Sequence, residues 1–426
     1  MSQPVEAVLV GAGNRGREAY GAYALRYPHR LKFVAVAEPI EERRELFARQ
    51  HNIPPERRFA SWEDLYAQGQ LAPALVNCTM DRDHVASTLP ALELGYHVLL
   101  EKPMAVTPHD CVRLVRAAEK ADRILQICHV LRYTPFFAAL YEVVHSGRLG
   151  DVMTVEHKEN VAYWHMAHSF VRGNWRNSRT SSPMILAKSC HDLDILAWMI
   201  GTRCLRISSF GSLTLFRPDR VGPEIPERCT DGCPIEDECP FYAPRIYLTE
   251  YTGWPVSVIS LDTSLEARLK ALQEGPYGRC VYRCDNDVVD HQVVAMEFEN
   301  DVTVVFTMHG HSHKEGRTMR YDGSRATLRG SAAENELVIY DHVTGREEVI
   351  HPGQIGGGHG GGDTGLMNAF VKAVRNPGQE VLSSARASLQ SHLMAFAAEE
   401  ARLTGQVVDM VAYAERIEAE VMAEEG

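Results

Sequence analysis

Residues 186–196, Leu-Ala-Lys-Ser-Cys-His-Asp-Leu-Asp-Ile-Leu, set a lysine, a cysteine, a histidine and two aspartates within a few turns of chain. Three chemistries are open to such a set. A metal site needs several ligands converging on one centre, and one histidine with one aspartate falls short of that count. A thiol nucleophile needs Cys190 and His191 to meet, but neighbours on a helix point about 100° apart. A buried, packed cysteine is the simpler reading of Cys190. An acid–base centre needs one imidazole beside a redox cofactor, and His191 titrates near neutral pH. Without a cofactor site elsewhere in the chain, His191 is a core histidine on an apolar helix. On a continuous helix Lys188, His191 and Asp194 are three apart and share a face, which makes Asp194 a candidate substrate contact, with Asp192 off it.

The cofactor signal lies at the other end of the chain. Gly11-Ala12-Gly13-Asn14-Arg15-Gly16 follows a short apolar strand and opens a helix. Glycines there allow a tight turn and close approach of backbone to a pyrophosphate, which the helix N-terminus attracts. Glu38 ends the second strand, where a carboxylate accepts hydrogen bonds from ribose hydroxyls and repels a 2′-phosphate. This favours NAD over NADP, although Arg43 and Arg44 soften the preference. Glu101-Lys102-Pro103 ends another strand and directs a lysine to the carboxyl edge of the sheet, where open α/β folds bind ligands. Proline after Lys102 forces an extended or turning backbone, with a cis bond as one option.

The elements that must position these groups follow from periodicity. Strands at Val5–Val10, Leu31–Ala37, Ala74–Cys78, His97–Leu100 and Ile124–Cys128 alternate with helices at 15–26, 40–50, 85–94 and 108–120. That rhythm predicts a doubly wound parallel sheet over 1–130. In 131–426 strands follow strands, at 152–158, 205–215, 292–298, 302–308 and 337–340, most with one wet face. The helix 185–200 sits among them. The fold class is therefore α/β: a Rossmann domain, then an α+β domain with a large, mostly antiparallel open sheet. The amphipathic helix 384–404 can pack back on either domain.

A length of 426 residues suits two domains, and 45% hydrophobic with 23% charged residues is ordinary for a soluble globular chain. A net charge of −12 argues against nucleic acid or an anionic membrane as partner. No signal peptide and no apolar run near the roughly 20 residues of a membrane span are evident. Ten cysteines then point to reduced thiols in a cytoplasm.

Together GAGNRG, the acid after strand two, Thr79 and His84, Glu101-Lys102-Pro103, and a helix with His191 and Asp194 before Trp198 and Gly201 resemble the Gfo/Idh/MocA family of oxidoreductases. The resemblance covers most of the chain. It implies an NAD domain holding the cofactor through Gly11, Gly13, Asn14, Arg15, Gly16, Glu38, Thr79, His84, Glu101 and Lys102. It implies a sugar, glycoside or cyclitol substrate, and an open sheet used for dimer or tetramer contacts. In the family the lysine orients nicotinamide and substrate hydroxyl, and the helix histidine accepts the proton. Many relatives carry an aspartate four residues before that histidine; here the position is Ala187, and Lys188 follows it. Either His191 works with Lys102 alone, or Lys188 substitutes, which as a base requires a depressed pKa. Some relatives instead retain NAD and cleave glycosides without net redox change, and a silent NAD-sensing protein is a third reading.

Further candidates surround this set. Tyr163, His165 and His168, with Arg172, form an aromatic and basic segment suited to a sugar. By resemblance, Trp175 and Arg176 reach over to the cofactor. His129 and Arg132 follow the last Rossmann strand, placed either to frame the nicotinamide pocket or to hydrogen-bond a crossing loop. Cys229, Cys233 and Cys239 suggest a structural zinc clip, with Cys280, Cys284 or Cys190 as fourth ligand. In the run Gly-Gly-Gly-His-Gly-Gly-Gly-Asp, 356–363, His359 or Asp363 could close over a sugar.

Overall fold

The computed structural model describes residues 3–356, 358–376 and 378–425; Gly357, in the glycine run, lies outside them. The first half forms a six-stranded sheet from β1 (Val5–Val10), β2 (Leu31–Ala37), β3 (Arg58–Phe59), β4 (Ala74–Asn77), β5 (His97–Leu100) and β6 (Leu125–Ile127). Its order is β3-β2-β1-β4-β5-β6, and every pairing is parallel. β4 to β6 are buried along almost their whole length, as helices on both faces require. The strand order reverses between β1 and β4, so the crevice opens at the carboxyl ends of these two strands. The first helix differs from the single α-helix expected over 15–26. It is π-helical over Arg15–Gly21 and α-helical over Ala22–Arg26. Glycine permits its close seat: a Cβ on Gly16 would stand 2.2 Å from the Gly11 carbonyl oxygen.

The second half holds a nine-stranded sheet of β7 (Val152–Ala162), β8 (Cys204–Ser212), β9 (His291–Phe298), β10 (Thr303–Ser312), β11 (Gly316–Gly323), β12 (Ala326–Ser331), β13 (Glu336–Asp341), β14 (Glu347–Ile350) and β15 (Val408–Asp409). The order is β14-β13-β12-β11-β7-β10-β9-β8-β15. Only β7 and β10 pair in parallel; the other pairs run antiparallel. β11, β12, β14 and β15 were not foreseen. Their glycines, arginines and glutamates mask the alternation that Met319, Tyr321 and Leu328 follow in burying one face.

Two findings change how the site is positioned. The helix expected over 185–200 is broken into Met184–Ala187 and Cys190–Ile200, with Lys188 and Ser189 between them. In an unbroken helix the Ala187 carbonyl would accept the amide of His191. Here it accepts the Lys102 ammonium at 2.7 Å instead. The other finding is that the helix Ala385–Thr404, capped by the Ser384 hydroxyl, serves both halves. It lies against β8 and the Cys190–Ile200 helix on one side and against Pro108–Ala121 on the other. Helices Gly362–Arg375 and Met410–Glu425 also return to the Rossmann half.

Candidate active site

β1 delivers the glycine turn. Gly11 has φ of +89°, and a Cβ there would stand 2.4 Å from the Cys78 carbonyl oxygen, so only glycine fits. A Cβ on Gly13 would meet nothing within 4 Å, so this side of the turn is open to a ligand. An open turn at a helix N-terminus fits a dinucleotide pyrophosphate. Glu38 is buried and braces the turn, accepting the Ala12 amide at 2.7 Å and the Ile40 amide at 3.0 Å. Arg15 is engaged within the protein. It pairs with Glu101 at 2.7 Å and Asp363 at 2.8 Å, and meets the Tyr20 hydroxyl at 2.9 Å. The glycine turn is thereby tied to the loop that carries His359.

β5 ends at Leu100, and two residues on stands Lys102, whose bond to Pro103 is cis. Glu101 accepts the Lys102 amide at 3.1 Å. His84 contacts the Pro103 carbonyl at 2.7 Å and that of Thr79 at 3.2 Å, clamping the lysine turn to the end of β4. Thr79 itself is held by the Asn77 side chain, its hydroxyl donating at 2.9 Å. His84 and Glu101 therefore position Lys102, and the hydrogen bond to Ala187 aims its ammonium at the start of the His191 helix.

His191 is 6% exposed and its Nδ1 has no partner among the described residues. Burial, then the charge of Lys102, hold its imidazole well below the usual value, so it is neutral near pH 7. Its ring lies 5.6 Å from that of His129 and 6.4 Å from that of His359. His359 bonds to Asp363 at 3.2 Å and keeps 44% of its side chain exposed, so the site opens to solvent on that side. His129 is fully buried, and burial drops it to about 3.

Lys188 lies in the break between the two helices and pairs with carboxylates there. It is 3.3 Å from Glu315 and 3.4 Å from Glu159. Burial lowers its pKa, but the two carboxylates outweigh burial and hold it above its usual value. A lysine held charged is no base, so its part is that of an anchored cation. Glu159 and Arg317 were not singled out in the sequence. Glu159 and Arg317 are register partners on β7 and β11, and Arg317 also pairs with Asp192 at 2.7 Å. The available signal was the inward alternation of His157 and Glu159 along β7.

The remaining candidates separate. His165 stays at the site, 2.7 Å from Glu315. His168 is turned into the wall, bonded to the Tyr247 hydroxyl at 2.9 Å and stacked on Tyr277. Tyr163 packs edge-on against Phe241. Trp175 does cross to the Rossmann half, donating to Asp81 at 3.1 Å, whereas Arg176 is paired with Asp285 at 2.8 Å. Asp194 is engaged within the protein: both its oxygens accept from Arg132, at 2.7 Å each, with both groups buried. The zinc clip expected from Cys229, Cys233 and Cys239 is not preformed: among the described residues no three His, Cys, Asp or Glu side chains stand ready around one ion.

The buried histidines carry a stability consequence. His129 and His168 are driven to about 3 and His165 to about 4, chiefly by burial. Each binds its proton more readily unfolded, near 6.5, than folded. Their contribution is complete above pH 6.5 and is lost as pH falls toward 4, by up to about 1.4 kcal/mol per pH unit for each histidine. The melting temperature is expected to fall steadily between pH 7 and pH 5. A flat profile across that range in calorimetry would mean these rings are solvated.

Two family models match this chain. One, described as oxidoreductase family, NAD-binding Rossmann fold, covers residues 5–129. The other, oxidoreductase family, C-terminal alpha/beta domain, covers residues 142–410. Among curated relatives, YteT of Bacillus subtilis (strain 168) is 24% identical over 67% of this chain and 69% of its own. Inositol 2-dehydrogenase of Corynebacterium glutamicum (strain R) is 25% identical over 49% of this chain and 57% of its own. This chain thus spans little more than half of that enzyme. In fold, an oxidoreductase domain protein from Kribbella flavida superposes with a TM-score of 0.71 at 18% identity, covering 96% of this chain and all of that one. The WlbA dehydrogenase from Bordetella pertussis, solved with NADH and UDP-GlcNAcA, gives 0.66 at 15% identity over 96% of this chain and 99% of that one. With both halves matched and the lysine turn facing the helix histidine, this chain belongs to the Gfo/Idh/MocA family of NAD-binding oxidoreductases.

Proposed function

We propose that the protein is an NAD-dependent dehydrogenase of a secondary alcohol on a sugar, glycoside or cyclitol. The observation that carries this reading is the buried neutral His191, its Nδ1 unpartnered, beside the Lys102 ammonium at the carboxyl edge of the nucleotide sheet. The names of relatives that act on inositol, or were solved with a nucleotide sugar, support the substrate class.

NAD bound at the Gly11–Gly16 turn supplies a hydride acceptor at nicotinamide C4. Lys102 donates to the substrate oxygen and stabilises it as it becomes a carbonyl. His191 receives the hydroxyl proton. An imidazole held this low accepts a proton only from a strongly acidified hydroxyl, which is what an alcohol becomes as its hydride departs. His359 and the solvent beyond it offer that proton an exit. His165, Glu315 and Lys188 form a polar wall for further hydroxyls. Glu38 favours NAD over NADP by repelling a 2′-phosphate.

The test is nicotinamide absorbance as the protein, with NAD or NADP, meets a panel of sugars, glycosides and cyclitols. Continuous accumulation of reduced nicotinamide with one cyclitol or sugar class is expected. A rise no larger than the enzyme concentration, with a leaving group released, would assign redox-neutral cleavage instead. Binding without turnover on every compound would leave a sensor.

The same reading includes self-association through the open sheet. Phe210, Val293 and Val305 stand 72%, 39% and 46% exposed on its outer face, and Phe210 is the register partner of Val293. An apolar patch on neighbouring strands calls for a cover. Light scattering is expected to give a dimer or tetramer, and Phe210→Lys to shift it toward monomer. An unchanged mass for that variant would place the contact elsewhere.

A further inference from the structure

The segment between β8 and β9, residues 213–290, has little regular structure. Its α-helices are Ala243–Tyr247, Val256–Ile259 and Leu265–Glu274, and its own core is Cys229, Ala243, Tyr247, Val256 and Leu272. Phe216, Phe241, Val281, Val288 and Val289 of the segment join the main core, but a separate cluster this small adds little hold of its own.

Four cysteines of this region line one cavity of about 10 Å³: Cys229, Cys233, Cys239 and Cys280. That is room for one small ion or one water. Cys229 and Cys280 flank the antiparallel bridge of Arg228 with Arg279, their amides donating to Gly278 and Glu227 at 2.9 and 2.8 Å. The alternation of extended chain therefore puts both on the same side. Cys233 and Cys239 come from the turn that follows, where the Cys239 amide donates to Ile235 at 2.9 Å. Of the other thiols considered as a fourth ligand, Cys284 donates to the Cys280 carbonyl, and Cys190 lies in the His191 helix.

Two cations, Arg172 and Arg228, line the cavity with the cysteines, and Arg172 is the one in contact with a sulfur. Arg172 is fully buried, and among the described residues its guanidinium reaches neutral partners: the carbonyls of Arg279 and Phe241, both at 2.7 Å, the Cys229 sulfur at 3.6 Å, and the Tyr247 hydroxyl. Its Nη1 has no partner, and no carboxylate pairs with it among the described residues. A buried charge without a counter-ion is costly. Four thiolates around one divalent ion carry a surplus of about two negative charges, which a guanidinium in contact offsets.

We propose that Cys229, Cys233, Cys239 and Cys280 bind one zinc ion that staples the 213–290 segment behind the site. The cysteines are free thiols, and among the described residues no three side chains already converge on one centre, so binding draws the sulfurs together. The ion is structural. The stapled segment presents Tyr247 and Tyr277 to His168, and Trp254 to His165, and so shapes the pocket wall. This assignment does not rest on the dehydrogenase reading.

The test is metal analysis of the full chain, purified in reductant without chelator. About one zinc per chain is expected, and exchange with cobalt should give the visible absorption of tetrahedral thiolate ligation. Cys233→Ser and Cys239→Ser should each lower bound metal at least about tenfold, and Cys284→Ser should not. Should the serine variants fail to fold, the wild-type metal content and cobalt spectrum still decide. Less than about 0.1 metal per chain after incubation with zinc in reductant overturns the proposal. So does a disulfide among these four cysteines, iron with inorganic sulfide in place of zinc, or equal metal loss in Cys284→Ser.

Discussion

His191→Ala is expected to lower kcat by about 10² to 10⁴-fold, the range for a lost general base, while NAD binds within about threefold of wild type. The separation follows from placement. The groups that fit the dinucleotide lie on β1 and after β2, and none of their hydrogen bonds runs through His191. His191 instead faces Lys102, His129 and His359. The substitution removes the proton acceptor and leaves the glycine turn as it is. Single-turnover kinetics with the alcohol found by the panel, together with NAD titration, make the check. Unchanged turnover would return His191 to the core. Lost turnover together with lost NAD binding would mean a folding defect. The pH profile gives a second readout: with His191 held low by burial, the acid limb of kcat/KM should lie well below pH 6.5.

Asp194→Ala should cost about 3–5 kcal/mol of stability, because it leaves Arg132 buried and uncompensated. Arg132 is 5% exposed and Asp194 1%, and two 2.7 Å hydrogen bonds join them. The Ser391 hydroxyl also donates to Asp194, at 3.3 Å, from the helix that bridges the two halves. Replacing both partners together, Arg132→Met with Asp194→Leu, should recover most of the loss, since a packed apolar pair removes both charges. Calorimetric melting is the measurement. A loss under about 1 kcal/mol would make the pair no stronger than a surface one. Normal melting with turnover abolished would move Asp194 to the substrate, as its spacing from His191 first suggested.

The two aspartates of LAKSCHDLDIL show where sequence reasoning stops. Helical spacing put Asp194 on the face of His191 and left Asp192 off it. In the structure both are consumed by arginines, Asp194 by Arg132 and Asp192 by Arg317. Those arginines lie far away in the chain, so local periodicity carries no trace of the pairing. Lys188 makes the same point. Spacing placed it beside His191, but the helix breaks where Lys102 captures the Ala187 carbonyl, and Lys188 swings to Glu315 and Glu159. Its charge state was equally hidden, because it depends on two carboxylates from β7 and from the turn before β11.

What the sequence determined by itself were the features with a local physical cause. The parallel sheet follows from short apolar strands spaced by helices. The dinucleotide turn follows from the glycine spacing, and at Gly11 and Gly16 a Cβ would collide with neighbouring backbone. Lys102 at a strand end and His191 on an apolar helix are likewise local facts, and their roles came with the family they resemble. Tertiary structure alone decided which side chains face the pocket. It turned His168 into the wall, gave Arg176 to Asp285, and brought His359 beside His191 across much of the chain. The reason is common to these cases: a buried polar group must find a partner, and the partner is chosen by packing between distant segments rather than by spacing along one.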